Sequence, residues 1–164
     1  MIFDGYFQSE KYFLEHPLYL NNITPKTNIY FLHVRLGDYC NTFYDLPLKR
    51  YYSEAILRIT EDDTSARFLI FSNEVAKARI LIQEQILVPF DYVFSNATTA
   101  YDTLKEMASC SGAICANSSL SWMGAYYQKQ PRKNIYMPFP WIKNSKLGRP
   151  FDLYPEWATR IKVF

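Results

Sequence analysis

Five short apolar runs rich in β-branched and aromatic residues punctuate the chain: Ile29–Val34, Arg67–Phe71, Tyr92–Phe94, Gly112–Ala116 and Asn134–Met137. Runs this uniformly apolar suit strands covered on both faces, as in a parallel sheet. Between them the apolar positions change to helical spacing. Tyr51, Ala55, Ile56 and Ile59 make one stripe and Val75, Ala78, Ile82 and Ile86 a second. Leu104, Met107 and Ala108 make a third, and Leu120, Met123, Ala125 and Tyr126 a fourth. The alternation predicts a doubly wound α/β domain with a mainly parallel, Rossmann-like sheet and right-handed crossovers. Strand order does not follow from the pattern. Residues 1–28, rich in Tyr and Phe, read as an interdomain or packing extension, able to meet a partner chain or a second copy. Residues 29–164 read as the domain, ending in a Pro-rich tail from Pro138 to Pro155.

The length of 164 residues matches one domain with a core of its own. No stretch approaches the roughly 18 apolar residues of a membrane span, so neither a transmembrane nor a signal segment is expected. Eighteen basic and sixteen acidic side chains leave a charge of +2 without long runs of either sign, so nucleic acid is not an expected partner. Cys40, Cys110 and Cys115 are an odd number at spacings that fit neither a zinc site nor a disulfide framework. They point to a reducing, cytoplasmic compartment and to no metal. The outlying count is aromatic, with 14 Tyr, 12 Phe and 3 Trp. Such rings line sugar- or base-binding surfaces, or simply fill a core.

In open α/β sheets a ligand sits beyond the carboxyl ends of the strands, which selects candidates by position. After the first strand come His33, Arg35, Gly37 and Asp38. Arg35 is suited to bidentate contact with a phosphate, or to an ion pair with Asp38 that pins the turn, with His33 a hydrogen-bonded core residue. Ser72 and Asn73 after the second strand read as helix caps or as ligand contacts. Asp102 lies three residues after Thr99, the spacing of a capping box with a shorter acid; a carboxylate there also suits the two N–H donors of a guanine edge. After the fourth strand Asn117, Ser118 and Ser119 lead into a helix, which aims free backbone N–H groups and a positive helix end at one spot. Ser118 or Ser119 fits a phosphate donor or an ordinary N-cap.

Four segments in this order resemble the α-1,2-fucosyltransferases of glycosyltransferase family 11: Gly5–Phe13, His33–Tyr39, Asp102–Cys110 and Ala116–Ala125. The resemblance implies the carboxyl-terminal, Rossmann-type half of a GT-B enzyme. It also implies GDP-fucose as donor, a galactose-containing glycan as acceptor, and inverting transfer to a 2-hydroxyl without a metal or other cofactor. Carried onto this chain, it places Arg35 at the β-phosphate, His33 and Asp102 at the guanosine, and Ser118 and Ser119 at phosphate oxygens, with Asn117, Ser72 and Asn73 nearby. Asp38 and Asp45 are the candidates for the base that takes the acceptor proton, and Asp38 is also placed to brace Arg35. Leu36, Asn73–Glu74 and Met123 stand where the family often has a second arginine, paired acids and a second tryptophan. Family members are close to twice this length, with the Gly5–Phe13 segment near mid-chain. The same resemblance suggests a cytoplasmic protein, or one peripheral to a membrane where glycans are built.

Overall fold

The computed structural model describes residues 9–13, 15, 20–128, 134–143 and 152–164. Among them, six strands form one sheet: β1 (Ile29–Val34), β2 (Arg67–Ser72), β3 (Asp91–Phe94), β4 (Gly112–Ile114), β5 (Ile135–Phe139) and β6 (Thr159–Lys162). The helices are α1 (Lys49–Asp62), α2 (Val75–Gln85), α3 (Ala100–Ser109) and α4 (Ser119–Tyr126). The strand order is β3-β2-β1-β4-β5-β6, and every neighbouring pair is parallel. The doubly wound sheet expected from the alternation is therefore present. Its order reverses between β1 and β4, where the following loops part and open a crevice.

Over β1, β2, β4 and β5 both faces of the sheet are covered, which is why these strands are largely apolar on both parities. Tyr51, Ala55, Ile56 and Ile59 of α1 and Ala78 and Ile82 of α2 pack with Tyr30, Leu32 and Val34. On the opposite face Met107 of α3 and Trp122 and Ala125 of α4 pack with Phe31, Ala113 and Ile135. Tyr51 and Tyr52 are fully buried, so their hydroxyls need partners. The Tyr51 hydroxyl lies 2.7 Å from the Cys115 carbonyl and 2.8 Å from that of Tyr136, and Tyr52 donates to the His33 carbonyl at 3.0 Å. One helix thereby bonds to the backbone of β1 and β5 and to the residue after β4.

Beyond the Pro-rich stretch, residues after Pro155 contribute a sixth strand, β6, that the apolar pattern did not predict. Ile161 is the one buried residue of this strand, so little alternation marks it; it forms because β5 offers an open edge. Pro138 is tolerated inside β5 for a related reason. Tyr136 uses its carbonyl toward β4, accepting from Cys115, and Pro138 has the same parity. β4 has ended by that level, so the missing N–H of Pro138 deprives no partner. Where described, the amino-terminal segment meets the tail. The Trp157 indole donates to Glu10 at 2.8 Å, Lys11 pairs with Asp152, and the Phe13 ring lies 5.5 Å from Tyr126. Residues 5–8 of the first motif and 144–151 of the tail lie outside the described residues.

The two helices on the second face meet closely at Gly124, where a Cβ would stand 2.7 Å from the Met107 Cβ. Gly124→Val is expected to lower stability by about 1–3 kcal/mol through overpacking. The check is a lower denaturation midpoint at an unchanged slope; a wild-type midpoint would mean that the helices separate freely.

Candidate active site

Arg35 follows the last residue of β1 and carries its charge into the crevice with only 27% of its side chain exposed. A charge so far withdrawn from water needs partners. One guanidinium nitrogen donates to Asp38 Oδ2 at 2.8 Å, and the group lies 5.3 Å from the centre of the Tyr39 ring. Its Nε is buried without a partner among the described residues. Bringing Asp38 back to Arg35 requires a tight turn, which Gly37 makes at φ 71°. A Cβ there would also crowd the Glu74 and Asn73 side chains, lying 3.0 Å from Glu74 Oε1 and 3.1 Å from Asn73 Nδ2.

Asn73 closes this turn from the end of β2. Its Oδ1 accepts from the Leu36 N–H at 2.9 Å, while its Nδ2 donates to the Leu36 carbonyl at 2.8 Å and to Asp38 Oδ1 at 3.3 Å. Both Asp38 oxygens are thus engaged, and the hydrogen bond from Arg35 foremost holds its carboxyl below the usual range. So placed, Asp38 steadies Arg35 and is a weak proton acceptor.

Across the switch point Tyr39 ties this turn to the start of α4. Its hydroxyl donates to the Asn117 carbonyl at 3.2 Å. Burial raises the phenol pKa, opposed by the Arg35 charge and the Ser118 hydroxyl. The Asn117 amide donates to the carbonyls of Tyr44 at 2.8 Å and Trp141 at 3.0 Å, and its Oδ1 is buried without a partner among the described residues. Ser118 holds the N-cap position of α4, yet its side chain makes no cap hydrogen bond. The N–H groups of the first turn, beginning at half-buried Ser119, therefore keep their positive field with no side-chain cap from that residue. His33 is 2% exposed, and its Nδ1 has no partner among the described residues. Burial first, and the Arg35 charge second, push its pKa down to about 3, so the ring is neutral near pH 7.

The structure therefore joins Arg35, Asp38, Asn73, Asn117 and Ser118 through one residue that the sequence reading did not single out, Tyr39. Its only signal was membership of the His33–Tyr39 segment. Ser72 supports the chain locally, its Oγ accepting from the Glu74 N–H at 3.0 Å. Neither Ser72 nor Asn73 caps α2, whose N-cap residue is Glu74 without a side-chain bond. Asp102 stands apart in the first turn of α3: the Thr99 hydroxyl accepts its N–H at 3.1 Å and donates to its carboxylate at 2.6 Å, side chain to side chain rather than through the backbone N–H of a full capping box. It also lines a groove of about 730 Å³ with Leu69, Val93, Ser95, Asn96 and Glu106. Among the described residues no three metal-ligating side chains converge, and no helix is long and apolar enough to cross a membrane.

Residues 9–158 match the profile of glycosyl transferase family 11. The chain belongs to this family. It is similar to an alpha-1,2-colitosyltransferase of Escherichia coli, 28% identical over 181 aligned positions that cover 98% of this chain and 62% of the relative. It is also similar to the Escherichia coli O-antigen biosynthesis glycosyltransferase WbnK, 29% identical over 139 positions, covering 80% of this chain and 45% of the relative. This family 11 chain thus spans 62% and 45% of the lengths of these relatives in the aligned regions. No solved structure matches it.

The buried imidazole makes the fold sensitive to acid. His33 titrates near 6.5 in an unfolded chain and at about 3 here, so between those values the unfolded chain holds the extra proton. Its stabilising contribution is complete above pH 6.5 and falls with pH, by about 1.4 kcal/mol per unit. Denaturant titrations at pH 7 and pH 5 are expected to show a loss in the wild type that is smaller by about 2 kcal/mol in His33→Leu. Equal losses would place the acid sensitivity elsewhere.

Proposed function

We propose that this chain is the nucleotide-sugar-binding half of a glycosyltransferase that moves fucose from GDP-fucose to the 2-hydroxyl of a galactoside, with inversion and without a metal. The observation that carries the reading is Arg35, a half-buried cation at the switch point whose buried Nε has no partner among the described residues, in a chain of glycosyl transferase family 11. When the bond between a sugar and its pyrophosphate breaks, negative charge grows on the leaving oxygen. Preorganised positive groups lower that barrier. Arg35 and the N–H groups at the start of α4 supply them, in place of a metal, with Ser118, Ser119 and Asn117 beside them.

The guanosine lies between His33 and the groove at Asp102, whose carboxylates suit the N–H donors of a guanine edge. Ser72 and Asn73 contribute chiefly by shaping the loop that faces the donor. Fucose is the proposed sugar; the relative named for colitosyl transfer makes a colitosyl donor the competitor. The free cysteines agree with a cytoplasmic setting, soluble or peripheral at a membrane where glycans are built. A second reading follows from the 62% and 45% coverage of the relatives. In it the chain binds the donor and needs a separate acceptor domain, or is a binding remnant.

Calorimetry is expected to show GDP binding, at least about tenfold tighter than UDP or ADP, and unchanged by EDTA. Arg35→Ala should weaken it about 10- to 100-fold, the worth of hydrogen bonds to a charged group, while remaining folded. A folded wild type that ignores GDP overturns the proposal. GDP-fucose binding without any fucosylated galactoside would support the second reading, and preference for the colitosyl donor would correct the sugar.

A further inference from the structure

The loop joining β1 to α1 is held firmly and yet presents aromatic rings to solvent. Tyr39 and Tyr44 pack with ring centres 5.0 Å apart, and the Arg35 guanidinium lies against the Tyr39 ring. Asn117 fixes the Tyr44 carbonyl, and the Lys143 N–H donates to the Phe43 carbonyl at 2.8 Å. Within the loop, Thr42 donates to the Tyr39 carbonyl at 2.6 Å, and the Asn41 N–H donates to Asp45 Oδ2 at 3.0 Å. Despite this bracing, Phe43 remains 54% exposed and Tyr44 36%. Phenylalanine rings are ordinarily buried. A rigid loop that holds one out beside a cationic crevice is organised in advance for a ligand with an apolar face.

The two carboxylates of this loop differ in availability. Asp38 has one oxygen on Arg35 and the other on Asn73. The Asp45 contacts among the described residues, to the Asn41 N–H and to Lys143 Nζ at 3.4 Å, fall on Oδ2. Its side chain is 42% exposed, next in sequence to the rings.

We propose that this loop is the acceptor subsite: the apolar face of a pyranoside packs on Phe43 and Tyr44, and Asp45 receives the proton of the attacking hydroxyl. The inference rests on the proposed donor site at Arg35, because an acceptor must stand beside the donor's anomeric carbon. The acceptor oxygen forms a bond to that carbon as the bond from the carbon to the β-phosphate oxygen breaks. The electron pair leaves with the nucleoside diphosphate, and the hydroxyl proton passes to Asp45. Asp38 stays paired with Arg35 as a positioning residue.

The test is saturation-transfer NMR titration of methyl β-galactoside and its 2-deoxy analogue in the presence of GDP, using the full chain. Phe43→Ala should weaken the galactoside at least fivefold and leave GDP affinity unchanged, whereas Phe164→Ala, another exposed ring, should change neither. The wild type should prefer the galactoside over the 2-deoxy analogue about tenfold, as expected for a hydroxyl bonded to a charged group. Asp45→Asn, which keeps an oxygen for the Asn41 N–H, should shrink that preference to less than threefold. A wild type that binds GDP but no galactoside overturns the proposal. So does galactoside affinity unchanged in Phe43→Ala, or a full deoxy preference kept in Asp45→Asn. Absence of GDP binding, seen by calorimetry before any sugar is added, removes the donor site and this inference with it.

Discussion

A guanidinium withdrawn from water at the end of the central strand sets the terms for the rest of the crevice. Arg35 cannot be half-buried unless an anion returns to it, so the chain turns back within three residues to present Asp38. That return uses a positive φ, which Gly37 adopts without a Cβ to strain it or to crowd Asn73 and Glu74. The turn exposes the Leu36 N–H and carbonyl, and Asn73 from the next strand takes both. Tyr39 then covers the guanidinium and reaches the first turn of α4. Each of these residues answers a need created by the one before it.

The sheet makes this arrangement rigid by satisfying its own backbone carbonyls. Tyr51 and Tyr52 meet carbonyls of Cys115, Tyr136 and His33 from the far face of the sheet, so the loops begin from fixed points. The contrast between helix starts is informative. At α3 the Thr99 hydroxyl caps the first turn by accepting the Asp102 N–H. At α4 the Ser118 side chain makes no such bond, and the positive end of the helix faces the crevice that also holds Arg35. Two sources of positive field at one switch point are what a leaving pyrophosphate needs, which is why the proposed chemistry follows from this corner of the fold.

Much of this was legible in the chain, for identifiable reasons. The strands β1 and β2 announced themselves because burial on both faces favours apolar residues on both parities, as in Ile29–Leu32 and Phe68–Phe71. The pairing of Thr99 with Asp102 was readable because capping is a contact across three residues. Ser72 and Asn73 were not: their sequence suits a cap, but Asn73 is drawn away by Leu36, 37 residues distant, which offers it two hydrogen bonds. β6 escaped notice because a strand with one buried residue takes its identity from the edge it joins.

The sequence by itself determined the alternation of strands and helices, the ion pair between Arg35 and Asp38, the glycine turn between them, and membership in a family. These depend on periodicity, or on residues close in the chain, where spacing alone sets geometry. Tertiary structure decided the strand order, the joining of Tyr39 to Asn117, the commitment of Asn73 to the turn, and the separation of Asp102 into a groove of its own. Those outcomes turn on buried polar groups finding partners across tens of residues. Which partner lies within reach is set by the packing of strands and helices, and local spacing carries no record of it.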